Sequence, residues 1–320
     1  MMLIAEISAN HLGSFETAMR TIEAAADCGA THVKLQTFDP VKMAVPGYKI
    51  ESGPWQGRDL VDLYKEAHTP YDWHENLFRY ARSLDMEIFS SPFDISDVDF
   101  LEDLECPIYK IASFELIDLR LVRRVAETRK PIIMSTGMAE ASEIEAAVTT
   151  ARRWGCRDLT LLHCVSEYPA QYKRMNLYKM QALNIFDPDA IGLSDHSPGT
   201  VAAVAAVALG ADVIEKHFTL SKAAGGLDAK FSLEPFEFSQ LVRDCKNAYD
   251  AAWIITRDDY DKSLRRSLYY AEDIPKGTVL TSRHIKTARP ALGRSPLELD
   301  RVLGTILSED VQENDPVQAK

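Results

Sequence analysis

No stretch of the chain approaches the roughly 18 consecutive apolar residues that mark a membrane-spanning helix, and the opening "MMLIAEISANH" meets polar and acidic residues too early for a secretory signal. A membrane partner is not expected, and the sequence reads as soluble and cytoplasmic. Basic charge is also in short supply: 36 Lys and Arg stand against 48 Asp and Glu, a formal net charge of -12. Proteins that grip a phosphate backbone usually carry a basic surface, so nucleic acid is not an expected partner, while local basic sites stay free to bind small anions. The five cysteines, Cys28, Cys106, Cys156, Cys164 and Cys245, are odd in number and contain no CxxC spacing. That fits neither a disulfide framework nor a thiolate zinc site, and they are expected as reduced, buried thiols. No Gly-x-Gly-x-x-Gly fingerprint follows the first apolar run, which disfavours dinucleotide binding. Low-complexity tracts are missing too, and 46% hydrophobic with 26% charged residues is the composition of a folded globular chain.

What is present is a repeated alternation. Apolar, β-rich runs occur at "LIAEIS" (3–8), "HVKLQTF" (32–38), "EIFSSP" (87–92), "IYKIAS" (108–113), "IIMST" (132–136), "LTLLHC" (159–164), "AIGLSD" (190–195) and "DVIEKHF" (212–218). Helical patterns lie between them; in "SFETAMRTIEAAADCG" Phe15, Met19, Ile22 and Ala26 recur at helical spacing, with Ser14 placed to cap the start and Gly29 the end. Strand and helix in alternation imply a parallel sheet, and about eight such units match an α/β, (β/α)8 TIM barrel better than an open doubly wound sheet. The long connection 39–71, with two Gly-flanked aromatics, falls where barrel insertions shape a substrate pocket. Past residue 240 the pattern changes to a helix through "FSQLVRDCKNAYDAAW", a charged connector, then short strands around a Pro-Lys-Gly turn. The expected organisation is a catalytic barrel over 1–245, a helical and charged linker over 246–262, and a small β-rich domain over 263–320.

Polar residues stand at the ends of these strands, several two apart and hence on one side: Lys34 with Gln36, Ser194 with His196, Glu215 with His217. A strand packed on both faces is normally apolar, so charge here points to the C-terminal mouth of a barrel. His196 and His217 end neighbouring strands, where two imidazoles can share a divalent metal; each could also be a satisfied polar residue. Lys34 and Lys110, with Ser91, Ser113 and Ser135, form a ring able to hold a phosphate and a carboxylate together. Glu6 and Glu115 belong to the same mouth, as proton carriers or as partners of the lysines.

These motifs resemble a known family. "AEISANHLGSFETA", "VKLQTF", "FSSPFD", "YKIASFEL", "MSTGMA", "GLSDHSPG" and "VIEKHF" are similar to the successive motifs of the sialic-acid synthases, and "RRSLYYAEDIPKGTVLTSRHIKTARP" resembles that family's antifreeze-like (SAF) domain. The stretch "GPWQGRDLVDLYKEAHTPYDWHENLFRYARSLDMEIFSSPFD" resembles the branch that makes pseudaminic acid more than the N-acetylneuraminate branch. The resemblance implies condensation of phosphoenolpyruvate with an open-chain 2,4-diacetamido-2,4,6-trideoxyhexose to give a nine-carbon acid and phosphate, with the N-acetylneuraminate or legionaminate reaction as alternatives.

Carried over by position, the resemblance implies that His196 and His217 bind a divalent ion, Mn2+ foremost with Co2+ or Mg2+ as substitutes. Lys34, Ser91 and Ser194 would face the carboxylate of phosphoenolpyruvate, and Lys110, Ser113 and Ser135 its phosphate. Ser166 stands where the neuraminate branch carries an Asn at the phosphate. Gln36, Glu115, Tyr168, Asp228 and, in a domain-swapped homodimer, Arg289 of the partner subunit would contact the acetamido sugar, while Glu6 and Glu215 complete the acid/base and metal-side surroundings. Leu227 replaces a usual Pro and Ala291 a usual Gly. Two readings from other classes stand beside this one: a metal-dependent sugar aldolase, which would neither consume phosphoenolpyruvate nor release phosphate, and a non-catalytic sugar-binding protein, against which the density of charge at the strand ends speaks.

Overall fold

The computed structural model describes residues 1–255 and 260–318. They form two compact units, Met1–Ile254 and Ile255–Lys320. In the first, eight parallel strands close into a barrel in sequence order: β1 (Met2–Glu6), β2 (His32–Thr37), β3 (Glu87–Pro92), β4 (Tyr109–Ile111), β5 (Ile132–Ser135), β6 (Leu159–Cys164), β7 (Ala190–Asp195) and β8 (Val213–His217). Closure is made by β8 pairing with β1, with Glu6 opposite His217. The barrel expected from the alternation is the barrel observed; each expected run contains its strand except the first, where β1 begins one residue earlier, at Met2.

The strands read as they do because both faces are buried. Val33, Leu35, Tyr109, Ile111, Met134, Leu161, Leu193 and Ile214 are all buried and alternate with the residues that line the barrel interior. The first helix, Phe15–Asp27, starts where expected: the Ser14 hydroxyl accepts from the Thr17 amide at 3.2 Å. Its buried face centres on Ile22, with Ala18, Thr21 and Ala25, while Phe15, Met19 and Ala26 lie along its margin.

The helix Pro235–Trp253 opens on a capping box between Glu234 and Glu237 with Pro235 in its first turn, and buries Phe238, Leu241 and Cys245. The Trp253 indole donates to the Val207 carbonyl at 3.2 Å. This packing carries the helix beyond the 245 edge drawn from sequence, so the helical part of the 246–262 stretch belongs to the barrel unit. Residues 256–259 of the charged connector lie outside the described residues.

The second unit holds the antiparallel pair β9 (Ser267–Tyr270) and β10 (Ile285–Ala288). Isolated bridges Ile274–Val311 and Val279–Ile306 extend it, and Leu268, Tyr270, Ile274, Leu280, Val302, Leu307 and Val317 make its own small core. The expected turn is present, with Gly277 at φ 87° and the Thr278 amide donating to the Pro275 carbonyl at 3.3 Å. Among the described residues no helix is long and apolar enough to cross a membrane.

One polar pair sits outside the barrel interior yet wholly within the protein. Lys216 and Asp195 face one another across β8 and β7, both 0% exposed, with Nζ 2.8 Å from Oδ2. The other Asp195 oxygen accepts the Ser197 amide at 2.8 Å, and Lys216 also donates to the Ser197 carbonyl. Removing one partner strands a buried charge, at a cost of about 3–5 kcal/mol, whereas an apolar pair of similar volume is near neutral. Asp195→Ala is therefore expected to lower unfolding free energy by about that amount in a denaturant titration, and Asp195→Leu combined with Lys216→Met to recover most of it. Equal losses in the single and double variants would contradict this account.

Candidate active site

The residues of opposite parity, facing inward, converge at the carboxyl end of the strands. Lys34 reaches Glu6 in a short ion pair, the Ser91 hydroxyl at 3.2 Å and Glu215 at 3.8 Å. Glu215 in turn accepts from Ser194 at 3.0 Å and lies 3.8 Å from Lys110. The register explains the meeting: Glu6 is level with Lys34 on β2, Ser194 is level with Glu215, and Gln36 is level with Ser91. Gln36 donates to Glu6 at 3.0 Å and to Ser8 at 2.9 Å. All four charged groups are nearly sealed from solvent, between 1% and 4% exposed.

Burial and mutual charge set their protonation. Burial pulls the Lys34 ammonium toward neutrality, but Glu215 and Glu6 outweigh it and its pKa rises. For Glu215 burial works against ionisation, and Lys110 and Lys34 together overcome it, so its pKa falls. Burial prevails at Glu6, whose pKa rises despite Lys34, and at Lys110, whose pKa falls despite Glu215. Glu215 is thus the fixed anion between two lysines, and Glu6 the carboxyl closest to exchanging its proton.

Above this ring stand the two histidines. His217 ends β8 and His196 follows β7 by one residue, with ring centroids 5.4 Å apart. The His196 Nδ1 donates to the Val165 carbonyl at 3.1 Å; burial works against the charged ring, but Cys164 and this carbonyl outweigh it and the His196 pKa rises. Burial, then the neighbouring His196 and lysines, hold His217 well below the usual imidazole range, so it is neutral. Its Nδ1 is buried with no hydrogen-bond partner, 3.8 Å from an Asp228 oxygen. A neutral imidazole with an orphaned ring nitrogen, beside a second imidazole, suits a divalent ion. Among the described residues, no group of three or more His, Cys, Asp or Glu is placed to hold a metal, so such an ion would need substrate or water to complete its shell.

The cavity here is lined by Glu6, Lys34, Gln36, Ser91, Lys110, Ser113, Ser135, Tyr168, Ser194, His196, Glu215 and His217. The Ser135 hydroxyl is buried in it without a partner. Four residues singled out from sequence stand apart. Ser166 lines an adjoining hollow beyond Cys164. Asp228 backs His217 and is bonded to Ser8 and, at 3.5 Å, the Ala9 amide. Glu115 lies close enough to feel Lys110, and Arg289 is exposed after β10 in the second unit. Gly137 separates Ser113 from Ser166: a Cβ there would fall 2.9 Å from one hydroxyl and 2.4 Å from the other, so only glycine lets both approach.

Of the aromatic residues beside the histidines, sequence reasoning named Tyr168 and missed Phe231. Tyr168 lies 4.4 Å from the His196 ring, and Phe231 packs 5.1 Å from Tyr168 and 4.9 Å from His217. Phe231 comes from a loop with no periodic pattern, and nothing in its sequence neighbourhood marks it. Lys216, by contrast, was detectable: it alternates with Glu215 and His217, and Asp195 alternates with Ser194 and His196, so the outward pair is implied by the inward ones.

Glu115 carries the clearest titration. Burial raises its pKa to about 7, with Lys110 opposing, and its Oε2 has no partner. A carboxyl raised from 4.5 to about 7 on folding binds its proton more tightly in the native state, so its contribution to stability is present below pH 4.5 and is lost as pH rises toward 7. Glu115→Gln removes that ionisation. In denaturant melts across this range the variant should gain stability relative to wild type with rising pH and level off above 7; a pH-independent difference would refute the assignment.

Comparison with known proteins agrees with this architecture. A NeuB family model matches residues 21–253 and a SAF domain model residues 265–320. A pseudaminic acid synthase of Helicobacter pylori is 39% identical over 99% of this chain and 96% of that protein. An N,N'-diacetyllegionaminic acid synthase of Campylobacter jejuni is 35% identical over 99% and 98%. The crystal structure of a Leptospira borgpetersenii N-acetylneuraminic acid synthetase in complex with citrate superposes with a TM-score of 0.74 at 32% identity, covering 81% of this chain and 87% of that one. The chain belongs to the NeuB family of synthases and carries a SAF domain at its C-terminal end.

Proposed function

We propose that this enzyme condenses phosphoenolpyruvate with an open-chain 2,4-diacetamido-2,4,6-trideoxyhexose to form a nine-carbon acid of the pseudaminic type and inorganic phosphate. The observation that carries the reading is the juxtaposition, in one cavity, of a sealed lysine–carboxylate–serine ring with a pair of adjacent imidazoles above it. The first suits a small molecule with two anionic groups, and the second an aldehyde that needs polarising. The likeness to pseudaminic acid synthases over nearly the full chain supports the choice of acceptor.

Lys34, Ser91 and Ser194 hold the enolpyruvate carboxylate, and Lys110, Ser113 and the unpartnered Ser135 hydroxyl take the phosphate, Ser166 standing behind Gly137. These contacts fix the C3 carbon in attacking geometry, a positioning role that needs no motion at the moment of reaction. His196 and His217 hold a divalent ion, Mn2+ by preference, which when bound supplies Lewis-acid polarisation of the sugar aldehyde. C3 bonds to the aldehyde carbon, water adds at C2, and phosphate leaves with cleavage of the C2–O bond. Glu6, with its raised pKa and its Gln36 and Lys34 contacts, passes the proton lost by the water toward the new hydroxyl; Glu215 stays ionised between the two lysines and holds Lys34 charged. Gln36, Tyr168 and Glu115 face the sugar, and Asp228 holds His217 from behind. The SAF domain brings Arg289 of the partner subunit to the barrel mouth in a cytoplasmic, domain-swapped homodimer.

Phosphate release from phosphoenolpyruvate should require the acceptor, and mass spectrometry should find a nine-carbon product; release without a sugar, or an aldol product without phosphate, would defeat the proposal. Chelation is expected to abolish turnover and Mn2+ to restore it, and His217→Ala to lower kcat roughly 100-fold or more, as loss of several kcal/mol of charge stabilisation demands. Activity that survives complete metal removal would reject the role of the histidine pair.

A further inference from the structure

The insertion after β2 is a built structure rather than a slack loop. Residues 48–60 fold back on themselves: the Ile50 amide donates to the Arg58 carbonyl at 3.0 Å, Gly57 to Ile50 at 2.8 Å and Leu60 to Tyr48 at 3.0 Å, with Lys49 bridged to Asp59. The tip turns through Gly53 and Gly57, at φ 87° and 84°, values that residues with a side chain rarely adopt. Trp55 stands between these two glycines and is therefore presented on a preformed turn.

Its ring lies 5.8 Å from Tyr168, and its Nε1 donates to the Leu227 carbonyl at 3.3 Å, tying the insertion to the loop that precedes Asp228 and Phe231. The contacts run outward in a series: Tyr168 rests on His196, and Trp55 on Tyr168. A linear sugar whose aldehyde is held at the imidazoles extends its far carbons along this series. Tyr168 and Trp55 offer aromatic faces there, with the indole N–H already engaged and the buried Phe231 backing Tyr168.

We propose that Trp55 determines acceptor specificity, forming with Tyr168, which Phe231 backs, an apolar wall that receives the methyl groups of an N-acetylated, 6-deoxygenated hexose. The inference rests on the functional reading above and narrows it. An acetamido methyl and a C6 methyl bury favourably against aromatic faces, whereas hydroxyls at C4 and C6 would be desolvated there without a partner. Trp55 packs on Tyr168 and Leu227 and is not among the residues that line the cavity with the lysines and serines, so it acts on the choice of sugar and not on the shared donor.

The test compares wild type, Trp55→Ala and Trp55→Phe on two acceptors, a 2,4-diacetamido-2,4,6-trideoxyhexose and N-acetylmannosamine, which keeps its 4- and 6-hydroxyls. Trp55→Ala is expected to cut the ratio of kcat/KM between them by roughly 10–200-fold, the range for losing contacts to a methyl group, with KM for phosphoenolpyruvate unmoved and Trp55→Phe recovering most of the ratio. An unchanged ratio in Trp55→Ala, or an equal loss on both sugars, overturns the inference while wild-type turnover leaves the functional reading intact. A wild type that favours neither sugar also overturns it, and a wild type that releases no phosphate with any diacetamido sugar defeats both readings. Thermal melts of the three proteins identify a folding defect, and in that event Trp55→Phe, which keeps a ring in place, decides the question through its own ratio.

Discussion

Four charges enclosed by a barrel of parallel strands are the constraint on which the remainder depends. Two lysines and two glutamates placed at 1–4% exposure would each cost several kcal/mol if left alone. They persist because Glu215 stands between Lys34 and Lys110 and because Glu6 closes the ring against Lys34. This arrangement is possible only where several strands converge, since the four groups come from β1, β2, β4 and β8. Closure of the barrel between β8 and β1 is thus both a folding event and the step that assembles the site. The ring is not fully satisfied: Lys110 meets Glu215 at 3.8 Å, beyond hydrogen-bond length, and Ser135 has no partner. An anion entering beside them finds donors whose desolvation has already been met by folding, which is the physical content of preorganisation.

The parts of this that were legible in the sequence are those governed by a period. A strand alternates with period two, so spacing alone assigns Lys34 with Gln36, Ser194 with His196, and Glu215 with His217 to one face, and the same rule puts Asp195 on the other. The structure bears this out, although His196 lies one residue past its strand and keeps its direction through the Val165 carbonyl. Loops obey no such rule. Phe231 and Trp55 sit far from Tyr168 in sequence and meet it only because three separate connections converge over the barrel. The placement of Ser166 behind Gly137, and of Asp228 behind His217, likewise depends on loop paths that spacing does not encode. The helix Pro235–Trp253 was visible as a pattern through Trp253, but its place in the barrel unit rather than in a linker was set by Trp253 docking on Val207, a tertiary contact.

The two faces of β7 and β8 divide the work of the site. Inward, Ser194, Glu215 and the two imidazoles meet the cavity; outward, on the alternate residues, Asp195 and Lys216 form a sealed pair that also takes up both backbone groups of Ser197. Because each outward residue is covalently next to an inward imidazole, the ion pair limits how far the two strand ends can separate, and so the 5.4 Å between the rings. The lysines of the ring act on the same imidazoles from below. Their positive charge, added to burial, keeps His217 from taking a proton, and a neutral ring is the form that can donate a lone pair. Charge that suits an anionic substrate therefore also keeps the neighbouring histidine ready for a cation. The two halves of the cavity are coupled by electrostatics as well as by adjacency, so a change at Lys34 or Lys110 must be expected to reach the histidines even where no atom between them moves.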